Sequence, residues 1–244
     1  MSQVRALVVA APGTNRDADV SLALELAGAV PERVTPAHLE HDQKRLRDAH
    51  VLVFAGGFSY GDNTGAGRLF ALDVDTHAGD GVRNFIAEGK PVIGICNGFQ
   101  ALVRAGLLPG GPTQAALGHN TAGVFDCRWV ELQPVSKKCV WTRDISENIT
   151  CPIAHGEGRF TCSDDALETL RSSDAIALTY VGTNPNGSVA NIAGICDESG
   201  VVLGLMPHPE NHVLARQNPL NVRGVTRGLG LDLFRSGIRH AKEI

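Results

Sequence analysis

Three side chains in this sequence have the types and spacing of a nucleophile, a base and a group that orients the base. Cys96 lies in Gly94-Ile95-Cys96-Asn97-Gly98, after the apolar run 91–95 and at the head of a helix-like segment, 97–105. This is the glycine–x–nucleophile–x–glycine elbow with cysteine in place of serine. The glycines permit a sharp strand-to-helix turn that presents the side chain at the end of a sheet. A sulfur there meets a helix N-terminus, whose unpaired N–H groups and dipole favour negative charge. The backbone N–H of Asn97 is placed to bind an oxyanion. The alternative is a core cysteine between packing glycines, since cysteine is among the most often buried residues.

Met206-Pro207-His208-Pro209-Glu210 follows another apolar run, 201–206. Prolines on both sides hold the backbone extended. Residues two apart in an extended chain point to one side, which lets the Glu210 carboxylate fix the His208 tautomer. A polar turn at a strand end is the plain alternative, weakened by the cysteine elbow in the same chain. Gly56-Gly57-Phe58-Ser59-Tyr60-Gly61-Asp62 follows a third apolar run, 51–55, and the irregular stretch extends to Gly67. A loop of this length is uncommon without a function. It lacks the phosphate-loop spacing, and Gly65-Ala66-Gly67 is not completed to a dinucleotide motif. A second oxyanion donor, the Gly57 N–H, suits it, and an ordinary turn is the plain alternative for the loop taken alone.

Elements that would carry these groups alternate in the first half. Strand-like runs at 4–10, 32–35, 51–55 and 91–95 are separated by helix-like runs at 16–29 and 79–88, with 97–105 after the last. That order implies parallel strands with crossover helices. From about residue 121 the strand candidates are 124–132, 151–155, 176–181, 190–196 and 201–206. Turn signals stand at Asn184-Pro185-Asn186-Gly187 and Asp197-Glu198-Ser199-Gly200, and the second closes a hairpin. A helix, 229–240, ends the chain. The expectation is one α/β domain over residues 1–244, with antiparallel strands in its second half.

Composition narrows the function. With 244 residues and 43% apolar residues, a full core is available. The net charge of −4 gives no generic footing on nucleic acid. No apolar run approaches a membrane span, and no leader is evident, so a cytoplasmic protein is expected. Six cysteines without a C-x-x-C pair favour neither a zinc site nor a disulfide framework. Cys127, Cys151 and Cys196 read as core residues of strands, and Cys139 and Cys162 as incidental. The stretch from Arg216 carries six Lys/Arg against two acids and reads as a solvated surface.

The constellation resembles the class I, triad-type glutamine amidotransferases. Within them, GGFSYGD at 56–62, GICNGFQ at 94–100, AHGEGRF at 154–160, NPNGS at 184–188 and MPHPE at 206–210 resemble the glutaminase subunits of phosphoribosylformylglycinamidine synthase. The resemblance implies a flavodoxin-like α/β fold: a mostly parallel central sheet flanked by helices. It implies a Cys96–His208–Glu210 triad that hydrolyses L-glutamine through a thioester, with Gly57 and Asn97 as oxyanion donors. Gln100 matches the glutamine that contacts substrate in this class, and Asn120 and His155 match further family positions read as substrate-binding. It implies no cofactor or metal in this chain. ATP and magnesium would serve a large synthetase subunit, joined by a small accessory subunit, in a purine-synthesis step that forms a C–N bond. The 63–67 and 121–124 segments depart from the family pattern, as does Asn211-His212. Rival classes are another cysteine-elbow enzyme, such as a peptidase or stress protein, a glutaminase-like module that only regulates a partner, and a glutaminase serving a different synthetase.

Overall fold

The structure is a computed structural model that describes residues 3–111, 113–224 and 227–244. The first half runs β1 (Val4–Val9), α1 (Asp17–Leu26), β2 (Ala29–Val34), α2 (Pro36–His41), α3 (Gln43–Asp48), β3 (Val51–Phe54), α4 (Arg68–Ala87), β4 (Val92–Ile95) and α5 (Asn97–Arg104). The second runs β5 (Ala115–Gly118), β6 (Asp126–Pro134), β7 (Ile149–His155), β8 (Arg159–Cys162), α6 (Asp164–Ser172), β9 (Ile176–Tyr180), β10 (Ile192–Cys196), β11 (Val202–Leu205) and α7 (Leu231–Ala241).

Nine strands form one sheet in the order β2-β1-β3-β4-β11-β10-β9-β6-β7, and β5 pairs with β8 apart from it. The five strands from β2 to β11 are parallel, and the rest pair antiparallel. The parallel strands are short runs of Val, Leu and Ile, and β3, β4 and β11 are buried at every residue. This is the pattern of strands covered on both faces. From β1 the chain crosses to β2 on one side, and from β3 to β4 on the other. Right-handed crossovers therefore place α1 and α4 on opposite faces. The direction changes between β1 and β3, and open α/β sheets bind ligands at the carboxyl ends beside such a switch.

Several boundaries differ from the sequence reading. β2 starts at Ala29, not 32, and includes Pro31. It is an edge strand, where a missing backbone donor is tolerated. α4 spans 20 residues and begins at Arg68, not 79. Phe70, Ala71, Val74, Ala78, Val82 and Phe85 form its buried stripe, which Asp, Thr, His and Gly between them mask. α2 and α3 were not foreseen. Thr35 caps α2 by accepting from the His38 N–H, with Pro36 at its first position. β5 and β8 were also missed. The 197–200 hairpin is present: Asp197 accepts from the backbone N–H groups of Ser199 and Val202, and β10 pairs with β11. All six cysteines are free. Cys127 is exposed on β6, which corrects its reading as core, whereas Cys139 is wholly buried beside Cys196. No described helix is long and apolar enough to cross a membrane.

Candidate active site

Parallel register brings the three candidate segments together. β3, β4 and β11 are neighbours, with Phe54 opposite Gly94 and Leu205 opposite Ile95. Their continuations, Gly56-Gly57, Cys96 and Pro207-His208, leave the sheet at one end. Cys96 has φ 51° and ψ −105°, a left-handed conformation that costs a non-glycine residue on the order of 1–3 kcal/mol. Its amide donates to the Leu205 carbonyl at 2.8 Å, which anchors the elbow to β11. Gly98 makes the turn sterically possible: a Cβ there would lie 2.0 Å from the Phe54 carbonyl oxygen.

The antiparallel half returns β7 to the same place, and the His208 amide donates to the Pro152 carbonyl at 2.8 Å. The His208 Nδ1–H donates to Glu210 Oε1 at 2.6 Å, with both side chains buried. Extended alternation does not produce this pair. Pro209 opens a 3₁₀ turn over Pro209–Asn211, and that turn swings the carboxylate back to the ring. With Nδ1 committed, Nε2 is the ring nitrogen left for Cys96, whose Sγ–H is directed at the Ala154 carbonyl at 3.9 Å. Burial works against a charged imidazole, but the Glu210 carboxylate and the Cys96 sulfur outweigh it and raise the His208 pKa to about 10. The ring is therefore protonated at neutral pH. Cys151 is buried next to Glu210. Burial, and then that charge, push its thiol up, so it stays protonated.

Two backbone N–H groups next to Cys96 in the fold have no acceptor among the described residues. The Gly56 carbonyl accepts from the Asn15 and Arg16 N–H groups at 3.4 and 3.2 Å. The planar peptide then turns the Gly57 N–H the opposite way, where no described residue accepts from it. This peptide lies against Cys96 and His208: a Cβ on Gly56 would sit 3.0 Å from His208 Cε1 and 3.5 Å from Cys96 Cβ. The second donor is the N–H of Asn97, first residue of α5, which has no intrahelical acceptor. The loop beyond is bent sharply, with Tyr60 and Asp62 at φ 54° and 52°. The N-terminal turn clamps it: Phe58 N–H donates to Gly13 O at 3.1 Å and Tyr60 N–H to Pro12 O at 2.7 Å.

A cavity of about 280 Å³ opens beside Cys96, with Gly57, Phe58, Asp62, Gln100, His155 and Glu157 among its walls. Among the described residues, no lysine or arginine lines it. Burial raises the Asp62 pKa and the Glu157 charge adds to this, against hydrogen bonds from Gly67 and Asn97. Gln100 faces the cavity with its amide largely committed: Oε1 accepts from Asn97 Nδ2 at 2.9 Å, and Nε2 donates to the Glu157 carbonyl. Asn120 does not line the cavity. Its Nδ2 donates to the carbonyls of Val124 and His155, and its Oδ1 accepts from Gly158 N–H and His155 Nδ1–H. Asn120 thus stands behind His155 and fixes its tautomer, leaving Nε2 a buried acceptor without a partner among the described residues. The 184–188 turn supports the same segment. Asn186 Nδ2 donates to the Gly158 carbonyl, and Phe160 N–H donates to Ser188 Oγ. A larger groove, about 740 Å³, runs between α2, α3 and α4 and contains none of these residues.

Burial, aided by the charge on His208, lowers the His155 pKa to about 4. Unfolded His155 takes up a proton below about 6.5 and folded His155 does not until about 4. Acid therefore favours unfolding across that window, by roughly 3 kcal/mol for this group. Urea unfolding of wild type and His155→Gln at pH 7 and pH 4 checks this. The wild type should lose about that much more stability on acidification than the variant. Parallel losses would contradict it.

Residue reading passed over Ser59, Asp62, Glu157 and the Asn97 side chain as site groups. All lie inside motifs already singled out, where their polar types between glycines were the available signal.

The matching family model describes a CobB/CobQ-like glutamine amidotransferase domain and covers residues 3–241. The chain belongs to this glutamine amidotransferase family. It is 47% identical to the phosphoribosylformylglycinamidine synthase subunit PurQ of Treponema denticola, over 97% of this chain and 98% of that protein. The same-named subunit of Dehalococcoides mccartyi is 39% identical over all of both chains. The structure superposes on a chain of PurLQS from Thermotoga maritima with a TM-score of 0.78 at 34% identity, covering 98% of this chain and 99% of that one. These amidotransferase relatives span the whole fold, from β1 to α7. The expected fold class, a mostly parallel sheet flanked by helices with antiparallel strands in the second half, holds.

Proposed function

We propose that this amidotransferase is the glutaminase subunit of a phosphoribosylformylglycinamidine synthase. It hydrolyses L-glutamine at Cys96 and delivers the ammonia to a synthetase subunit, which consumes ATP with magnesium. A small accessory subunit completes the assembly, which works in the cytoplasm. The observation that carries the reading is the buried Cys96–His208–Glu210 line opening on a cavity with two free backbone donors.

The geometry supports a balanced sequence. The Cys96 sulfur, paired with the His208 imidazolium, adds to the carboxamide carbon. The Gly57 and Asn97 N–H groups receive the developing oxyanion. His208 passes its Nε2 proton to the departing nitrogen, leaving ammonia and a thioester. Neutral His208 then takes a proton from water as the water attacks. Collapse returns glutamate, the sulfur and the imidazolium. Glu210 stabilises the charged ring in both halves. Gln100 and His155 border the substrate, with Asn120 holding His155 in place.

The cavity charge fits a free amino acid. Asp62 and Glu157 offer carboxylates to an α-ammonium, although the Arg104 charge already acts on Asp62. Glu157→Gln should raise the KM for glutamine about tenfold, the worth of one charge-assisted hydrogen bond. It should affect the analogue lacking the α-amino group much less. Equal effects on both substrates would remove Glu157 from ammonium recognition. The function itself is tested by adding this chain to the synthetase subunit with formylglycinamide ribonucleotide, ATP and glutamine. Product should form from glutamine only when the chain is present. A synthetase indifferent to the chain would contradict the proposal.

A further inference from the structure

The side chain of Asn97 is buried and fully hydrogen-bonded. Its Oδ1 accepts from the Ser59 N–H at 3.2 Å and from the Ser59 hydroxyl. Its Nδ2 donates to Asp62 Oδ1 at 3.0 Å and to Gln100 Oε1 at 2.9 Å. Three of these four bonds cross from the nucleophile's helix to the glycine loop. That loop carries left-handed φ values at Tyr60, Gly61 and Asp62, a conformation the chain does not hold by its own preference. The N-terminal turn holds the loop to β1's end, and two side chains of α5 reach the loop: Arg104, whose Nε donates to the Ala66 carbonyl at 2.8 Å, and Asn97, which sits at the elbow itself. The residue whose N–H is one oxyanion donor thus grips the loop that supplies the other.

We infer that Asn97 is a positioning residue as well as a backbone donor: its side chain sets the spacing between the Gly57 and Asn97 N–H groups and keeps the oxyanion hole formed. The inference rests on the glutaminase reading above. It separates two kinds of reaction at one sulfur. Attack on glutamine develops an oxyanion and needs the hole. Displacement of iodide from iodoacetamide by the sulfur develops none and needs only the nucleophile and its base.

Asn97→Ala removes all four bonds and leaves the backbone N–H. In the enzyme assembled with its synthetase partner, kcat for glutamine hydrolysis should fall about 10- to 100-fold, below the loss for deleting an oxyanion donor outright. The rate of Cys96 carboxymethylation, followed by peptide mapping, should stay within about threefold, while KM rises only as far as the lost hydrogen bonds to Asp62 and Gln100 loosen those two groups. Ser59→Ala is the milder variant, available if Asn97→Ala fails to fold. It should lower kcat several-fold, and the double variant should be no slower than Asn97→Ala alone, because both act through one contact. An unchanged kcat, a parallel fall in kcat and carboxymethylation, or additive losses would overturn the inference. A wild-type assembly that is carboxymethylated at Cys96 yet hydrolyses no glutamine would instead overturn the glutaminase reading, and this inference with it.

Discussion

Cys96→Ala should abolish glutamine-dependent synthesis, with a loss of at least about 10⁴-fold, while the assembled enzyme still makes product from added ammonium salts. Removing a nucleophile from a triad leaves only the residual rate due to binding and the oxyanion donors. Ammonia supplied from solution bypasses that step and calls only on the partner's chemistry. The substitution is small, and the elbow strain at φ 51° falls on alanine as it does on cysteine. Cys96 is 5% exposed and packs at the cavity wall, so deleting one sulfur leaves the sheet contacts of β4 intact. The measurement is synthesis rate against glutamine and against ammonium, in parallel. Loss of both would make Cys96 structural. Retention of the glutamine-dependent rate would place the nucleophile elsewhere.

Glu210→Gln should lower kcat by on the order of 10³-fold, by analogy with carboxylate-to-amide changes in triads generally. The pH profile identifies the cause. His208 is 2% exposed, and its burial opposes the charged ring. In the wild type the carboxylate reverses this and holds the pKa at about 10, so activity requiring the imidazolium declines only as pH approaches that value. Without the carboxylate, burial is left opposed by the sulfur alone. The basic limb should then move toward, or below, the ordinary histidine value near 6.5. A variant as slow as predicted but with its basic limb still near 10 would show that Glu210 acts by geometry and not by charge.

The sequence exposed the chemistry better than the scaffold around it. Glycines at Gly94 and Gly98 announced the elbow because the turn leaves no room for a side chain, and steric exclusion of that kind is visible residue by residue. His208 and Glu210 were also legible, although for the wrong geometric reason: a 3₁₀ turn that begins at Pro209 pairs them, not an extended chain. α4 was half missed because tertiary burial of Phe70 and Val74 decides it, against the local preferences of Asp73, Asp75 and Gly79. Asn120 shows the limit of motif reading. Its place in the pattern pointed to substrate, whereas its hydrogen bonds run to His155, Val124 and Gly158. Side-chain bonds that bridge distant segments, such as Asn97 to Ser59 and Asp62, leave no periodic trace in a sequence.

The central claim is that Cys96 is the nucleophile of a glutamine site, and covalent labelling tests it most directly. The chain, alone and with its synthetase subunit, is treated with the glutamine analogue 6-diazo-5-oxo-norleucine, and its intact mass is measured before peptide mapping. One adduct per chain is expected, on Cys96, suppressed by excess glutamine. An adduct on the exposed Cys127, labelling that glutamine does not suppress, or no adduct in the presence of the synthetase would contradict it.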